Sequence, residues 1–101
     1  MGQVEVTGTG TVQVEAGDEV VIRLPENATT GYVWSVGAIA ENLVLTGDDV
    51  IPAGGSGVGG AGERVFQVRA VAPGSGDVVL RLGRVWEPAP IEERTVTVAV
   101  R

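Results

Sequence analysis

The feature that most constrains the fold of this chain is a period-two alternation of apolar and polar residues, which recurs from Val4 to Val100. Such alternation places one face of a strand on a core and the other in water, as is typical of antiparallel sheets. Turn signals separate the runs at Gly8-Thr9-Gly10, Ala16-Gly17-Asp18, Gly47-Asp48-Asp49 and Pro73-Gly74-Ser75-Gly76-Asp77. The pattern predicts an all-β sandwich of seven or eight short antiparallel strands.

The length of 101 residues suits one domain, so we expect residues 1–101 to form a single sandwich. Aromatic residues make up only 4% of the chain, so Val, Leu and Ile must supply most of the core. Alternation predicts that Trp34 and Val36, and then Leu43 and Leu45, face that core. The stretch from Val36 to Leu45 has room for a helical turn but for no longer helix.

The residue types that are missing limit the possible functions. The chain has no His and no Cys, which excludes the usual Ser-His-Asp and Cys-His nucleophilic sites and the usual zinc sites. Its formal net charge is −6, and its seven basic residues are scattered arginines, which argues against a nucleic-acid partner. No apolar run approaches the roughly 20 residues that span a bilayer. We therefore predict a binding protein without cofactor, metal or membrane association.

An enzyme using Glu87, Glu92 and Glu93 as acid and base is a weaker interpretation. These residues follow or flank a Pro-rich segment, and nothing in the sequence indicates that one of them is desolvated. A solvated charged face explains them better.

Residues 25–32 connect two predicted strands and are more numerous than a tight hairpin of about two to five residues needs. Thr29 and Thr30 favour extended backbone, and Gly31 permits a positive φ. The segment is either an ordinary surface loop or a binding element. Tyr32 and Trp34 share a face, so we expect at least one of them in the core.

Residues 54–62 hold six glycines in nine positions. They do not form a phosphate loop, because the segment has no Lys and a strand follows it rather than a helix. The segment is either a flexible hairpin or a stretch of bare backbone that lies against a partner.

Residues 83–90 place Arg84 and Trp86 in a Pro-rich connection. Trp and Arg are the residue types most often found at the energetic centres of interfaces. Trp86 either covers the end of the sandwich or contacts a partner.

Together, these segments resemble the chagasin family of cysteine-peptidase inhibitors. Residues 27–34, Asn-Ala-Thr-Thr-Gly-Tyr-Val-Trp, are similar to the family's Asn-Pro-Thr-Thr-Gly-Tyr-x-Trp motif. Residues 57–60 resemble its Gly-x-Gly-Gly motif, and residues 84–86 resemble its Arg-Pro-Trp motif. The motifs come in the family's order, and Ala28 and Val85 replace a proline in two of them. Loss of these prolines loosens a loop before binding.

The resemblance implies an immunoglobulin-like sandwich whose three loops gather at one end and occlude the cleft of a papain-like cysteine peptidase, reversibly and without cleavage. The implied peptidase-binding residues are Asn27, Ala28, Thr29, Thr30, Gly31, Tyr32, Gly57, Val58, Gly59, Gly60, Arg84, Val85 and Trp86. We expect a monomer. The family also favours a secreted or periplasmic location, with any signal peptide absent from this chain.

The alternative is an immunoglobulin-like adhesion or carbohydrate-binding module. Such a module would use Trp86 and Tyr32 as stacking platforms for sugars and would need no threonine motif. Assays of peptidase inhibition and of glycan binding distinguish the two.

Overall fold

A computed structural model describes residues 2–7, 9–27, 30–51 and 62–101 of the chain. None of these residues lies in an α-helix. The described part of the chain therefore contains no helix that is long and apolar enough to cross a membrane. The strands are β1 (Gln3–Thr7), β2 (Gly10–Val14), β3 (Glu19–Glu26), β4 (Val33–Ile39), β5 (Leu43–Ile51), β6 (Gly62–Ala70), β7 (Gly74–Gly83) and β8 (Glu92–Val100). Between β4 and β5 the chain makes a short turn at Glu41 and Asn42 instead of a helical turn.

The strands form two four-stranded sheets, with the orders β1-β3-β6-β5 and β2-β8-β7-β4. The prediction of an all-β sandwich is confirmed. Four pairings are antiparallel, whereas β1 runs parallel to β3 and β2 runs parallel to β8. The alternation does not reveal these two edge pairings, because it reports which face is buried and not which neighbour a strand has.

The core lies between the sheets and consists mainly of small aliphatic side chains, as the composition predicts. Its central members are fully buried: Val20, Ile22, Leu24, Phe66, Val68, Ala70, Val78, Leu80, Val96 and Val98. They come from the two inner strands of each sheet, β3 and β6, and β7 and β8. Inward side chains of both sheets therefore close one core, as in sandwiches generally.

The predicted turn at Gly47-Asp48-Asp49 is wrong, because these residues lie inside β5. The pairing of β5 with β6 shifts register between Leu45 and Gly47, which marks a β-bulge. A Cβ at Gly47 would lie 2.5 Å from Oε1 of Gln67, so glycine gives room for the neighbouring strand. Beside this bulge, on an edge strand, Leu45 is 39% exposed instead of facing the core as predicted.

The predicted turn at residues 73–77 is shorter than expected, because β7 already begins at Gly74. A Cβ at Gly76 would lie 2.7 Å from Cβ of Ala40, so this glycine permits close packing rather than a turn. The turn itself is held by Asn42, whose Nδ2 donates to the carbonyls of Ala72 and Gly74 at 3.3 and 2.9 Å.

The strand ends that flank three connections lie at the same end of the sandwich. We name these connections the threonine loop (residues 27–32), the glycine loop (residues 52–61) and the tryptophan loop (residues 84–91). The strand ends that flank them are paired side by side, because Glu26 is opposite Gly62, Ile51 is opposite Glu63 and Val33 is opposite Gly83. The strands thus bring the bases of all three loops together.

Candidate functional site

The threonine loop contains a tight turn held by one hydroxyl. The amide and Oγ1 of Thr30 both donate to the carbonyl of Asn27, at 3.2 and 2.9 Å. The amide of Tyr32 donates back to Oγ1 of Thr30 at 3.3 Å. Gly31 between them has φ +80°, in the left-handed region that favours glycine. Gly31 therefore has the positive φ that the sequence permits, and the turn is formed by the Thr30 hydroxyl together with this glycine conformation.

The tryptophan loop begins with a turn that projects its indole outward. The amide of Glu87 donates to the carbonyl of Arg84 at 3.1 Å, which places Val85 and Trp86 at the two central positions. Trp86 is 72% exposed, and Val85 is exposed as well. Thus Trp86 does not cover the end of the sandwich, and its exposed apolar surface suits contact with another molecule.

Arg84 joins the two loops. Its guanidinium carbon lies 4.1 Å from the centroid of the Tyr32 ring and 5.7 Å from that of Trp86. Its Nε donates to the carbonyl of Thr30 at 3.1 Å. Moreover, a Cβ at Gly31 would lie 3.0 Å from Cη2 of Trp86, so the indole passes closely over bare backbone. The two loops therefore form one continuous surface.

Trp34 supports this surface from below. It is only 2% exposed, and its Nε1 donates to the carbonyl of Pro25 at 2.9 Å. Tyr32 is half-buried beneath Arg84. The expectation that at least one of these two aromatic residues lies in the core is met by Trp34.

The predicted binding residues that the structure brings together are Asn27, Thr30, Gly31, Tyr32, Arg84, Val85 and Trp86. The others, Ala28, Thr29, Gly57, Val58, Gly59 and Gly60, lie outside the described residues. The strands on either side of the glycine loop end beside the base of the threonine loop. A role for all of these residues in binding stays a prediction.

Glu26 and Arg64 were not singled out in the sequence, although a signal was present. Position 26 continues the inward-facing series of Val20, Ile22 and Leu24, so a charged residue there is unusual. Arg64 donates two hydrogen bonds to the Glu26 carboxylate, which together with Asp48 raise the pKa of Arg64. This pair lies directly under the loops.

The acidic residues near the tryptophan loop do not form an acid–base pair. Glu87, Glu92 and Glu93 each form an ion pair with an arginine, at 3.7, 2.5 and 2.7 Å respectively. Within the part of the chain that the structure describes, no group of acidic side chains could hold a metal ion. The described part of this end of the sandwich carries two loops joined by Arg84, with an exposed indole on one of them.

The family model for the chagasin family peptidase inhibitor I42 matches residues 13–100. The chain belongs to this family. The match confirms the predicted family and agrees with inhibition of cysteine peptidases rather than with catalysis or with the adhesion and carbohydrate-binding alternative. No curated protein sequence matches the chain significantly.

Solved structures agree on the fold. The cysteine protease inhibitor EhICP2 of Entamoeba histolytica is 24% identical, with a TM-score of 0.84 over 99% of this chain and 96% of that one. Amebosin is 27% identical, with a TM-score of 0.77 and 98% of each chain covered. PbICP-C, solved in complex with falcipain-2, is 18% identical, with a TM-score of 0.74 and 98% of each chain covered. The predicted immunoglobulin-like sandwich is confirmed.

Proposed function

We propose that this chain inhibits papain-like cysteine peptidases reversibly and non-covalently, by inserting loops from one end of the sandwich into the active-site cleft. The observation that carries this proposal is the Arg84 bridge between the threonine and tryptophan loops. It joins a narrow turn and an exposed indole into one surface that occupies a cleft and one of its flanks.

The threonine loop is suited to enter the cleft. Hydrogen bonds among Asn27, Thr30 and Tyr32 are formed within the chain itself, before any partner binds. A loop that is already ordered loses less conformational entropy on binding. The same hydrogen bonds also disfavour cleavage, because a peptidase must extend a chain in order to cut it.

Trp86 is suited to anchor the inhibitor beside the cleft. Large aromatic residues that become buried on binding supply much of the energy of an interface. Arg84 packs between the indole and the Tyr32 ring and thereby restrains the anchor before the peptidase arrives. We expect the glycine loop to lie along the other flank, with backbone groups pairing with the enzyme.

The tested quantity is binding of the purified chain to papain in three forms: active, oxidised at the catalytic cysteine, and alkylated there with a bulky group. A plug relies on surface complementarity, so we expect stable complexes with the first two forms on size-exclusion chromatography. The bulky group should weaken binding, because it occupies the space above the sulfur.

Mass spectrometry of the inhibitor recovered from active papain gives the second result. We expect an intact chain, with no cut between Asn27 and Tyr32. Loss of binding to both modified forms would show that the reactive sulfur is required. A cut loop would place the chain with substrate-like inhibitors, and either result would show that occlusion is wrong. A secreted or periplasmic location stays a prediction, which fractionation of the producing cells tests.

A further inference from the structure

A layer of charged side chains lies between the core and the loops, on the inner face of one sheet. Glu26 follows Leu24 on the buried face of β3. Arg64 of β6 is the pairing partner of Leu24, and Asp48 of β5 is the pairing partner of Phe66. Because paired residues share a face of a sheet, Arg64 faces inward with Leu24, and Glu26 continues the same buried series. Asp48 lies on the edge strand, is 44% exposed, and binds Arg64 from the rim of the sandwich.

The layer is tightly hydrogen-bonded. Nε and Nη2 of Arg64 donate to the two carboxylate oxygens of Glu26, at 3.0 and 2.9 Å, and Nη1 donates to Oδ1 of Asp48 at 2.9 Å. The Glu26 side chain is 3% exposed and that of Arg64 is 16% exposed. A two-point contact of this kind fixes direction as well as distance.

Glu26 also closes the base of the threonine loop. Its Oε2 accepts the backbone N–H of Trp34 at 2.8 Å, so residues on the two sides of the loop are tied together. Those residues belong to different sheets, because β3 and β4 lie in opposite layers of the sandwich. Arg64 holds the same carboxylate from β6, two residues after that strand begins at Gly62, the first residue beyond the glycine loop.

We propose that Glu26 and Arg64 are positioning residues, which hold the threonine loop in its binding shape and couple it to the base of the glycine loop. The effect of these residues on peptidase binding rests on the proposed function. Neither residue needs to touch the peptidase. Their effect is to raise the fraction of free inhibitor that is ready to bind.

Filling the end of the core does not require this pair. Burying two charges carries a desolvation penalty, and apolar residues of similar volume often replace such pairs without loss of stability. An apolar pair cannot accept the N–H of Trp34, however. The geometry of the loop base depends on a carboxylate at position 26, and the direction of that carboxylate depends on Arg64.

The first test measures association and dissociation rates with papain for Glu26→Gln, Arg64→Met and Arg64→Lys. When only a fraction of the free protein is ready to bind, the apparent affinity falls by that fraction. We therefore expect the association rate of Glu26→Gln and Arg64→Met to fall about tenfold, with dissociation changed less than about twofold. Arg64→Lys keeps a charge beside Glu26 and should lie between Arg64→Met and the unchanged chain.

The matched control is Glu19→Gln. Glu19 pairs with Arg69 in the same two strands, β3 and β6, at 3.7 Å and at the far end of the sandwich. Both rates should stay unchanged in this variant. Folded, active inhibitor is counted by titration in every case, so that partial unfolding is not mistaken for slow association.

The second test needs no peptidase. Hydrogen exchange of the Tyr32 and Trp34 amides is measured in the free protein, and Arg64→Met should accelerate both although Arg64 bonds to neither. If the variants lower the melting temperature but leave association and exchange unchanged, the pair only covers the core and the proposal is wrong. If the unchanged chain binds no papain-like peptidase, the proposed function is wrong. The hydrogen-exchange result still decides whether Glu26 and Arg64 hold the threonine loop in place.

Discussion

The two tryptophans of this protein lie at the same end of the sandwich and have opposite environments. Trp34 is buried, and its indole N–H has an acceptor in Pro25, whereas Trp86 is exposed on a turn. Trp34 stands in a strand, where alternation points it inward. Trp86 stands between strands in a Pro-rich segment. The comparison shows that the strand pattern around an aromatic residue, and not its type, separates a buried side chain that supports a loop from one that is exposed.

The largest effect is expected for Trp34→Ala. Removing a large buried aromatic side chain leaves a cavity and should cost about 3–5 kcal/mol in the free energy of unfolding. Urea denaturation measures the loss, and Trp34→Phe, which keeps most of the volume, should lose much less. A loss below about 1 kcal/mol would contradict the assignment of Trp34 to the core.

Trp86→Ala should reverse this pattern. We expect binding to papain to weaken by on the order of 2 kcal/mol, because a buried anchor is lost from the interface. The free energy of unfolding should change by less than about 0.5 kcal/mol, since the indole is exposed in the free protein. Calorimetric titration and urea denaturation of the same variant give both numbers. Unchanged affinity together with lost stability would assign Trp86 to the support of the fold.

Gly31→Ala and Gly17→Ala form a matched pair. Both glycines have positive φ, +80° and +100°, so each alanine should cost about 1–2 kcal/mol in unfolding free energy. Only at Gly31 does the added Cβ meet Trp86, whereas nothing lies within 4 Å of a Cβ at Gly17. Binding to papain should therefore weaken for Gly31→Ala alone. Equal affinities of the Gly31→Ala and Gly17→Ala variants would show that contact between the indole and the threonine loop does not matter for binding.

Val85→Pro should improve the inhibitor slightly. Val85 is the second residue of the turn closed by Glu87 and Arg84, a position where proline is favoured. The proline should restrict the free loop and make the free energy of binding more favourable by about 0.4–1 kcal/mol. Association rates measured beside Val85→Ala test this, because alanine shortens the side chain without restricting φ. Slower association of the proline variant would show that the backbone at Val85 does not suit proline.

Asp18, at the end of the sandwich opposite the loops, should affect stability without affecting inhibition. The amides of Glu15 and Gly2 donate to the Asp18 carboxylate and lower its pKa below the ordinary value of an aspartate. A lowered pKa contributes stability above the unfolded value, and this contribution is lost as pH falls through the folded value. Asp18→Asn should make the acid decline of the urea midpoint shallower and leave binding to papain unchanged. A change in affinity would show that the two ends are coupled.

Alternation was sufficient to predict the sandwich, because a half-buried strand must show its inner face at every second residue. The turn signals were misleading at Gly47 and Gly76, where glycine gives space to Gln67 and Ala40 inside a strand. That distinction depends on neighbours from distant parts of the chain, which one sequence does not show.

The candidate site was predictable in its motifs but not in its connections. The Arg-x-Trp and threonine segments stand out in the sequence, whereas the contact of Arg84 with Thr30 and Tyr32 depends on how the loops fold. Glu26 carried a weaker signal, a charge in an inward-facing series. Its partner Arg64 lies 38 residues further along the chain, and only the pairing of β3 with β6 brings them together.

The parallel pairing of β2 with β8 has a consequence for how the protein is made. Gly10 lies opposite Val96 and Val14 lies opposite Val100, so β2 has no partner in its sheet until residues 96–100 have been translated. Contacts between such distant segments form late and slow folding. The nascent chain must therefore keep β2 unpaired while residues 15–95 are translated. Polar side chains at Thr11 and Gln13 make one face of the waiting strand less apolar, which disfavours association with other chains.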